Sequence, residues 1–500
     1  MTVGGFPGRA REVIPTSTAS GGNPATRIQD ELKEDAMAFK SLSLVASLAT
    51  TALLGLASPS LGTAQPPKSA HYRYTLIDLG TLGGPQADVG NFPFPAENNR
   101  GLVVGQADTP LADPYLPNEN PSFGGDAFVQ HAFSWHDGVI SDLGALGPQA
   151  GNNSSFSNAV NARGDVAGLS DNGTIDPIQG YAAADAVLWK HGRIIDLGTL
   201  GGGNESLAIG LNNRDQVVGV AANTIPDPFS MFGFSTETRA FTWQHGVIRD
   251  LGTLGGPDAA AFFVNDRGQV AGNAYTNATA NPVTGSPTTH PFLWQDGTMR
   301  DLGTLGGSVP NGGGVNALNN RGEVAGSSDL AGDQTFHPFV WNGRSLVDLG
   351  TLGGARGSAQ WLNKTGAAVG WANTPEKATP LPLAEPGDQV YHAFIWKNGV
   401  MTDLGTAPGD RCAVAYGVNS HDQVVGDAGI CHGAVDAFMS ENGVTMNLNS
   451  LIAPSNLHLK EALSINDHGQ IVGKGVLPNG DIHQYLLTPN DNSHDSVSRP

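Results

Sequence analysis

Ala208-Ile209-Gly210-Leu211, Asn212-Asn213-Arg214-Asp215, Gln216-Val217-Val218-Gly219-Val220-Ala221 is the stretch whose reading decides the fold. Its first four residues form a short strand. The Asn and Asp residues that follow tolerate left-handed backbone and bond their own N–H groups, so they make a turn into a second strand. After a variable loop, Arg239-Ala240-Phe241-Thr242-Trp243 is a third strand, with Phe241 and Trp243 on one face by the two-residue period. Gln244-His245-Gly246 is a turn, Val247-Ile248-Arg249-Asp250-Leu251 a fourth strand, and Gly252-Thr253-Leu254-Gly255-Gly256 a connection onward. Four antiparallel strands in one short unit describe a propeller blade.

The unit recurs. An Asn followed seven residues later by Gly occurs at Asn98, Asn161, Asn212, Asn265, Asn319, Asn363, Asn419 and Asn466, which predicts eight blades. Strands such as Phe292-Leu293-Trp294 and Phe394-Ile395-Trp396 are apolar on both faces and need cover on both, as radial stacking provides. The array starts with a lone fourth-strand motif, Tyr74-Thr75-Leu76-Ile77-Asp78-Leu79-Gly80. It ends with three strands and no fourth, finishing at His483-Gln484-Tyr485-Leu486-Leu487. The fragments complement each other, and joining them removes the open sheet edges. The expectation is an all-β, eight-bladed propeller over residues 72–489, its ring closed by the N-terminal strand. A parallel β-helix is the rival, but its coils are shorter and lack these hairpin turns.

The runs His131-Ala132-Phe133 and His392-Ala393-Phe394, with the variants His290-Pro291-Phe292 and His337-Pro338-Phe339, each lead to Trp and then to Asp-Leu-Gly-Thr-Leu-Gly-Gly. In this the chain resembles the HAF-repeat family of extracellular proteins. The seven-residue run is verbatim from Asp78, Asp196, Asp250, Asp301 and Asp348, and departs from the pattern after Asp142 and Asp403 and at Asn447-Leu448-Asn449. The resemblance implies export and repeats; it supplies no catalytic residue.

Composition narrows the function. A net charge of −20 argues against a nucleic-acid partner, which needs a Lys/Arg surface. Lys40, the apolar stretch from Leu42 to Ala57 and Gly62-Thr63-Ala64 lay out a secretory signal peptide cleaved after Ala64, with Met37 a candidate start, 65–71 a linker and 490–500 a disordered tail. The apolar run is shorter than a membrane span. The expected location is secreted, periplasmic or cell-surface, and the expected mature state a monomer without a membrane span.

The two cysteines, Cys412 and Cys431, are symmetric about the His421-Asp422 turn, which would place them opposite one another in a hairpin. An oxidising compartment then permits a disulfide; two separate buried thiols are the alternative.

The repeated Asp before Leu-Gly (Asp142, Asp196, Asp250, Asp301, Asp348, Asp403) reads as a turn cap, because a functional site uses few positions of a shared scaffold. His131, His290, His337 and His392 occupy one position per blade, held elsewhere by Arg239, Asp185 and Asp436. They form a ring rather than a metal cluster, so no metal or cofactor is expected, and each is expected to bond a neighbouring blade. No serine-hydrolase, zinc-protease, phosphate-loop or EF-hand motif is present.

Variation concentrates in the connections between second and third strands, which are long in units one, three and six and emerge on one face. They carry Tyr115, Phe123, Tyr181, Phe232, Tyr275, Trp371 and Tyr391 with Asp171 and Asp227, a mixture suited to a glycan or peptide. The aromatics can equally serve to pin their own loops. The leading expectation is a secreted, non-enzymatic scaffold for an extracellular protein or polysaccharide. The alternatives are a glycan-processing hydrolase or lyase using Asp108, Asp171, Asp227 and Glu376 as acid and base, and a structural envelope or matrix component.

Overall fold

The computed structural model describes residues 72–88, 96–147, 150–309, 313–378, 389–431, 433 and 435–490. The leader, its cleavage point, the linker at 65–71 and the tail beyond Asn490 lie outside these. Eight four-stranded antiparallel sheets are arranged as blades. In blade 3 the strands are Ser206–Leu211, Val217–Pro226, Thr236–Gln244 and Val247–Asp250, in that spatial order. Blade 8 is composite: Tyr74–Asp78 pairs antiparallel with Ile482–Pro489, Tyr74 opposite Pro489 and Asp78 opposite Tyr485. The N-terminal strand thus supplies the outer strand that the last repeat lacks, and the ring closes as expected.

The first strand of each blade is innermost, and both ends of the Asn-x6-Gly motif act there. The glycine lies in the second strand, directly opposite a large third-strand residue: Gly219 faces Phe241, Gly272 faces Phe292 and Gly370 faces Phe394. On its other side the first strand bulges, as between Ala261 and Phe263, and brings a carbonyl close. A Cβ on Gly272 would overlap the Ala260 carbonyl oxygen and approach the Phe292 ring at 2.9 Å. The backbone of one strand and the ring of the other share the space a side chain would need. Phe133, Phe241, Phe292, Phe339, Phe394, Phe438 and Tyr485 are fully buried in this column, each contributing roughly 1.5–3 kcal/mol by burial.

The repeated Asp caps its turn as expected: Asp142 accepts the Gly144 N–H at 2.7 Å and Asp250 the Gly252 N–H at 2.8 Å. The histidines differ from expectation. His131 bonds Asp142, His290 bonds Asp301, His337 bonds Asp348 and His392 bonds Asp403, all at 2.9 Å and all within one blade. Third and fourth strands are adjacent, so the partner lies across that hairpin and not in the neighbouring blade.

Cys412 and Cys431 form a disulfide with Cα atoms 5.1 Å apart, but not by the expected register. The turn is centred on His421, with Val418 facing Val424, and a bulge between Ala415 and Gly417 shifts the pairing by one residue more, so Cys412 faces Gly429. Cys431 lies two residues beyond the strand end and reaches back.

Candidate functional site

The ring presents two faces. On the face of the first-to-second and third-to-fourth strand turns, the eight repeat asparagines form a closed circle. The Oδ1 of Asn212 accepts the N–H groups of Arg214 and Gln216, while its Nδ2 donates to the Asn265 carbonyl at 2.9 Å. Asn265 donates likewise to Asn319, Asn319 to Asn363, Asn363 to Asn419 and Asn419 to Asn466. Asn466 donates to Asn98, Asn98 to Asn161 and Asn161 to Asn212. Only a side chain with both an acceptor and two donors can cap its own turn and bridge to the next.

Inside this circle is a cavity of about 390 Å³. Its neck is formed by the residues preceding each asparagine. Seven of them are aliphatic: Val160, Leu211, Val264, Leu318, Leu362, Val418 and Ile465. The eighth is Glu97, which accepts a bond from Ser464. Burial pushes the Glu97 carboxyl up to about 7.

On the opposite face, blades 1 to 4 share a loop device absent from the expectations above. Asp113-Pro114, Asp176-Pro177, Asp227-Pro228 and Asn281-Pro282 each begin a turn in which Oδ1 accepts the N–H two residues on, from Tyr115, Ile178, Phe229 and Val283. Such a side chain mimics a backbone turn, and Pro presets the φ that follows. Its recurrence as Asp/Asn-Pro-apolar was the available sequence signal.

Each loop then reaches the next blade. Asn120 Nδ2 bonds the Ala182 carbonyl and Glu205 Oε2, both at 3.0 Å. Gln179 bonds Gly233 and Ser235, the Met231 N–H bonds Asp258, and Asn281 bonds Asp333 at 2.9 Å. The four loops form one interlocked layer.

The expected binding aromatics mostly hold this layer together. Phe123 is buried edge-on against Phe156, rings 5.1 Å apart, and Tyr275 is buried with its hydroxyl donating to the Phe229 carbonyl at 2.9 Å. The Tyr115 hydroxyl donates to Asn153 at 2.9 Å. Phe232 lies half-buried between Phe234 and Phe262. Trp371 meets Phe336 and Tyr391 edge-on at 5.9 and 5.7 Å, while Tyr391 also packs against the disulfide. Tyr181 is half-buried, its hydroxyl pushed up first by burial and then by Glu205 and Asp176.

The carboxylates fall into separate groups. Asp171 accepts the Ser154 N–H at 3.0 Å, and its other oxygen is buried without a partner. Burial, reinforced by Asp113 and Glu119, pushes it up to about 7. Glu119, also with a buried oxygen lacking a partner, is pushed to about 7 by burial and by Asp113 and Asp126. Asp227 belongs to a different group, beside Asp258 and Tyr275. Asp108 is held by the Gln86 N–H and by Gln130, both at 3.0 Å, and Glu376 pairs with Arg411 at 2.5 Å. The four candidate acid–base residues therefore occupy blades 1, 2, 3 and 6 and are engaged locally.

Among its exposed residues the loop layer carries six large aliphatic side chains. Leu111, Leu116, Ile175, Ile178, Ile225 and Val283 run through the loops of blades 1 to 4, each between 42% and 54% exposed.

No known family profile matches the sequence, and no curated protein matches it. Among solved structures, the chain is similar to the β-propeller domain of the Trilobed protease from Pyrococcus furiosus, at 10% identity and a TM-score of 0.39, over 76% of this chain and 100% of that one. It is similar to a gluconolactonase from Xanthomonas campestris at 10% identity and 0.30, over 86% and 99%, and to an ulvan lyase at 10% and 0.33, over 84% and 96%. The eight four-stranded blades make the protein a β-propeller, and these likenesses are distant.

Proposed function

We propose that this chain is a HAF-repeat protein acting outside the cytoplasm as a non-enzymatic scaffold, docking an extracellular partner on the loop layer of blades 1 to 4. The observation that carries this reading is the run of exposed aliphatics on loops locked to one another. Exposed apolar groups on a preorganised backbone suit an interface, because little freedom is lost on binding. Polysaccharides stack on open aromatic faces, whereas here the loop aromatics are engaged and the large apolar side chains left exposed are aliphatic; a protein partner is favoured. The Cys412–Cys431 disulfide supports an oxidising compartment, whether the protein is secreted, periplasmic or at the cell surface.

A second reading has one observation behind it. Asp171 and Glu119 carry raised carboxyls near Tyr115, as a general acid would need, which keeps a glycan hydrolase or lyase in view. The test is to immobilise the full chain and expose it to panels of secreted proteins and polysaccharides, reading capture and ligand breakdown together. Saturable protein capture without breakdown supports docking. Breakdown that disappears in Asp171→Asn, with binding kept, replaces it with the enzymatic reading.

A further inference from the structure

In six blades the third-strand position carries a nitrogen donor against the fourth-strand Asp. The imidazoles of His131, His290, His337, His392 and His483 lie 2.9 Å from Asp142, Asp301, Asp348, Asp403 and Asp78, and the Arg239 guanidinium lies 3.0 Å from Asp250. Blade 7 reverses the pair: Asp436 takes a bond from Asn447 and ion pairs from His458 at 2.7 Å and Lys460 at 3.2 Å. In blade 2 alone both positions are acidic, Asp185 and Asp196, and neither pairs with a cationic side chain among the described residues. The scaffold is the same, since Val187 pairs with Asp196 as Phe133 pairs with Asp142. What blade 2 lacks is the nitrogen donor.

A cavity of about 210 Å³ opens beside Asp185, walled also by Asn172, Ile175, Pro177, Thr199 and Asn204; Asp196 lies outside this lining, two residues before Gly198, which belongs to it. It is large enough for the end of one side chain and small beside a drug-sized pocket. Asp185 is buried, and burial followed by the charge of Asp196 holds its carboxyl up at about 6. Asn172 donates to Asp185 at 3.0 Å, and its own oxygen is occupied by the Thr174 N–H and hydroxyl. A calcium ion needs six to eight oxygens. Here the nearest amide presents a donor, and among the described residues no three His, Cys, Asp or Glu side chains converge on a metal position. Nitrogen donors occupy the equivalent place elsewhere in the ring, one of them a guanidinium.

We propose that the notch at Asp185 in blade 2, with Asp196 beside it, seats an arginine side chain of a protein partner, which supplies from outside the nitrogen donor that six other blades carry themselves. The planar guanidinium can bond two carboxylates while its alkyl stem lies along Ile175 and Pro177. Ile178, exposed beside them, continues the apolar surface. The inference rests on the docking reading and narrows it to a partner with a projecting arginine, in keeping with a net charge of −20 on this chain.

The test is calorimetric titration of the full chain, at low salt and neutral pH, with the peptide acetyl-Gly-Arg-Gly-amide and with its neutral citrulline analogue. The arginine peptide should bind at least about ten-fold tighter. Asp185→His, which installs the pair already present in five blades, should abolish that preference, as should Asp196→Asn, which keeps the Gly198 cap. Equal binding of the two peptides, or a preference surviving in both variants, overturns the proposal. So does calcium binding that is lost in Asp185→His, since the notch would then be a metal site. If the peptides fail while Ile178→Ser still weakens capture of a protein partner, only the notch is wrong. If the peptide preference holds while loop substitutions leave capture unchanged, the docking face is wrong instead.

Discussion

The Nδ2 of Asn466 donates to the backbone carbonyl of Asn98 at 3.4 Å, joining the last repeat turn to the first across 368 residues. It completes the asparagine circle on the turn face, while Tyr74–Asp78 completes the last sheet on the outside of the ring. Closure is made twice, at the hub and at the rim. The hub bond here is the longest of the eight, against 2.9 Å for Asn212 to Asn265.

Asn→Asp at these positions keeps the size and the turn-capping oxygens but removes the donors and sets a carboxylate against a buried carbonyl. Asn212→Asp should cost about 1–3 kcal/mol, and Asn466→Asp less, because its bond is longer. Denaturant unfolding at neutral pH checks both, and equal stability to wild type in Asn212→Asp would remove the circle from the account.

Gly272→Ala adds one methyl where the Ala260 carbonyl and the Phe292 ring already meet. The strand must move, at a cost of about 1–3 kcal/mol. Gly297→Ala is the comparison: that turn glycine has φ +85° but open space around it, so the substitution adds backbone strain alone. The two melting temperatures separate crowding from strain.

Stability should fall from pH 5 to pH 8. Burial raises Asp108 to about 6, and Glu97, Glu119, Asp171 and Asp427 to about 7, so the folded protein holds protons that the unfolded chain releases near 4. Stability from a raised group is present below its unfolded value and lost as pH climbs through the folded one. His483, raised by its bond to Asp78, acts in the same direction from about 6.5 upward. Asp78, Asp142 and Asp403 are held below 3.8 by their histidines despite burial, so their contribution is lost only below that window. Calorimetry across pH 5–8 should give a declining melting temperature; a rising one contradicts the burial of these carboxyls.

Reduction of Cys412–Cys431, which spans 19 residues, should lower stability by about 3 kcal/mol without dissolving the ring. Comparing Cys412→Ala/Cys431→Ala with the reduced wild type, by melting temperature, checks it.

Much of this architecture was readable because repetition averages out local ambiguity. Eight copies of Asn-x6-Gly and two complementary ends leave few ways to close a sheet. Details that depend on one blade were not. The Cys412 register failed because the turn centres on His421 and not between His421 and Asp422, and because a bulge at Ala415–Gly417 leaves no simple mark in the spacing. The roles of Phe123 and Tyr275 were open because a loop's landing place is set by the blade it lands on, here Phe156 and Phe229. Asp185 was visible in its column only as a substitution. Its meaning needs the pairing of third and fourth strands, which shows what the histidines of the other blades do.

The most direct measurement is a set of binding isotherms for a captured protein partner with three forms of the full chain: wild type, Ile175→Ser/Ile178→Ser/Ile225→Ser on the loop layer, and Val139→Ser/Val247→Ser/Val400→Ser on the turns of the other face. The account predicts at least about a ten-fold loss, near 1.4 kcal/mol, for the loop triple and none for the turn triple. Loss confined to the turn triple, or equal in both, would contradict it.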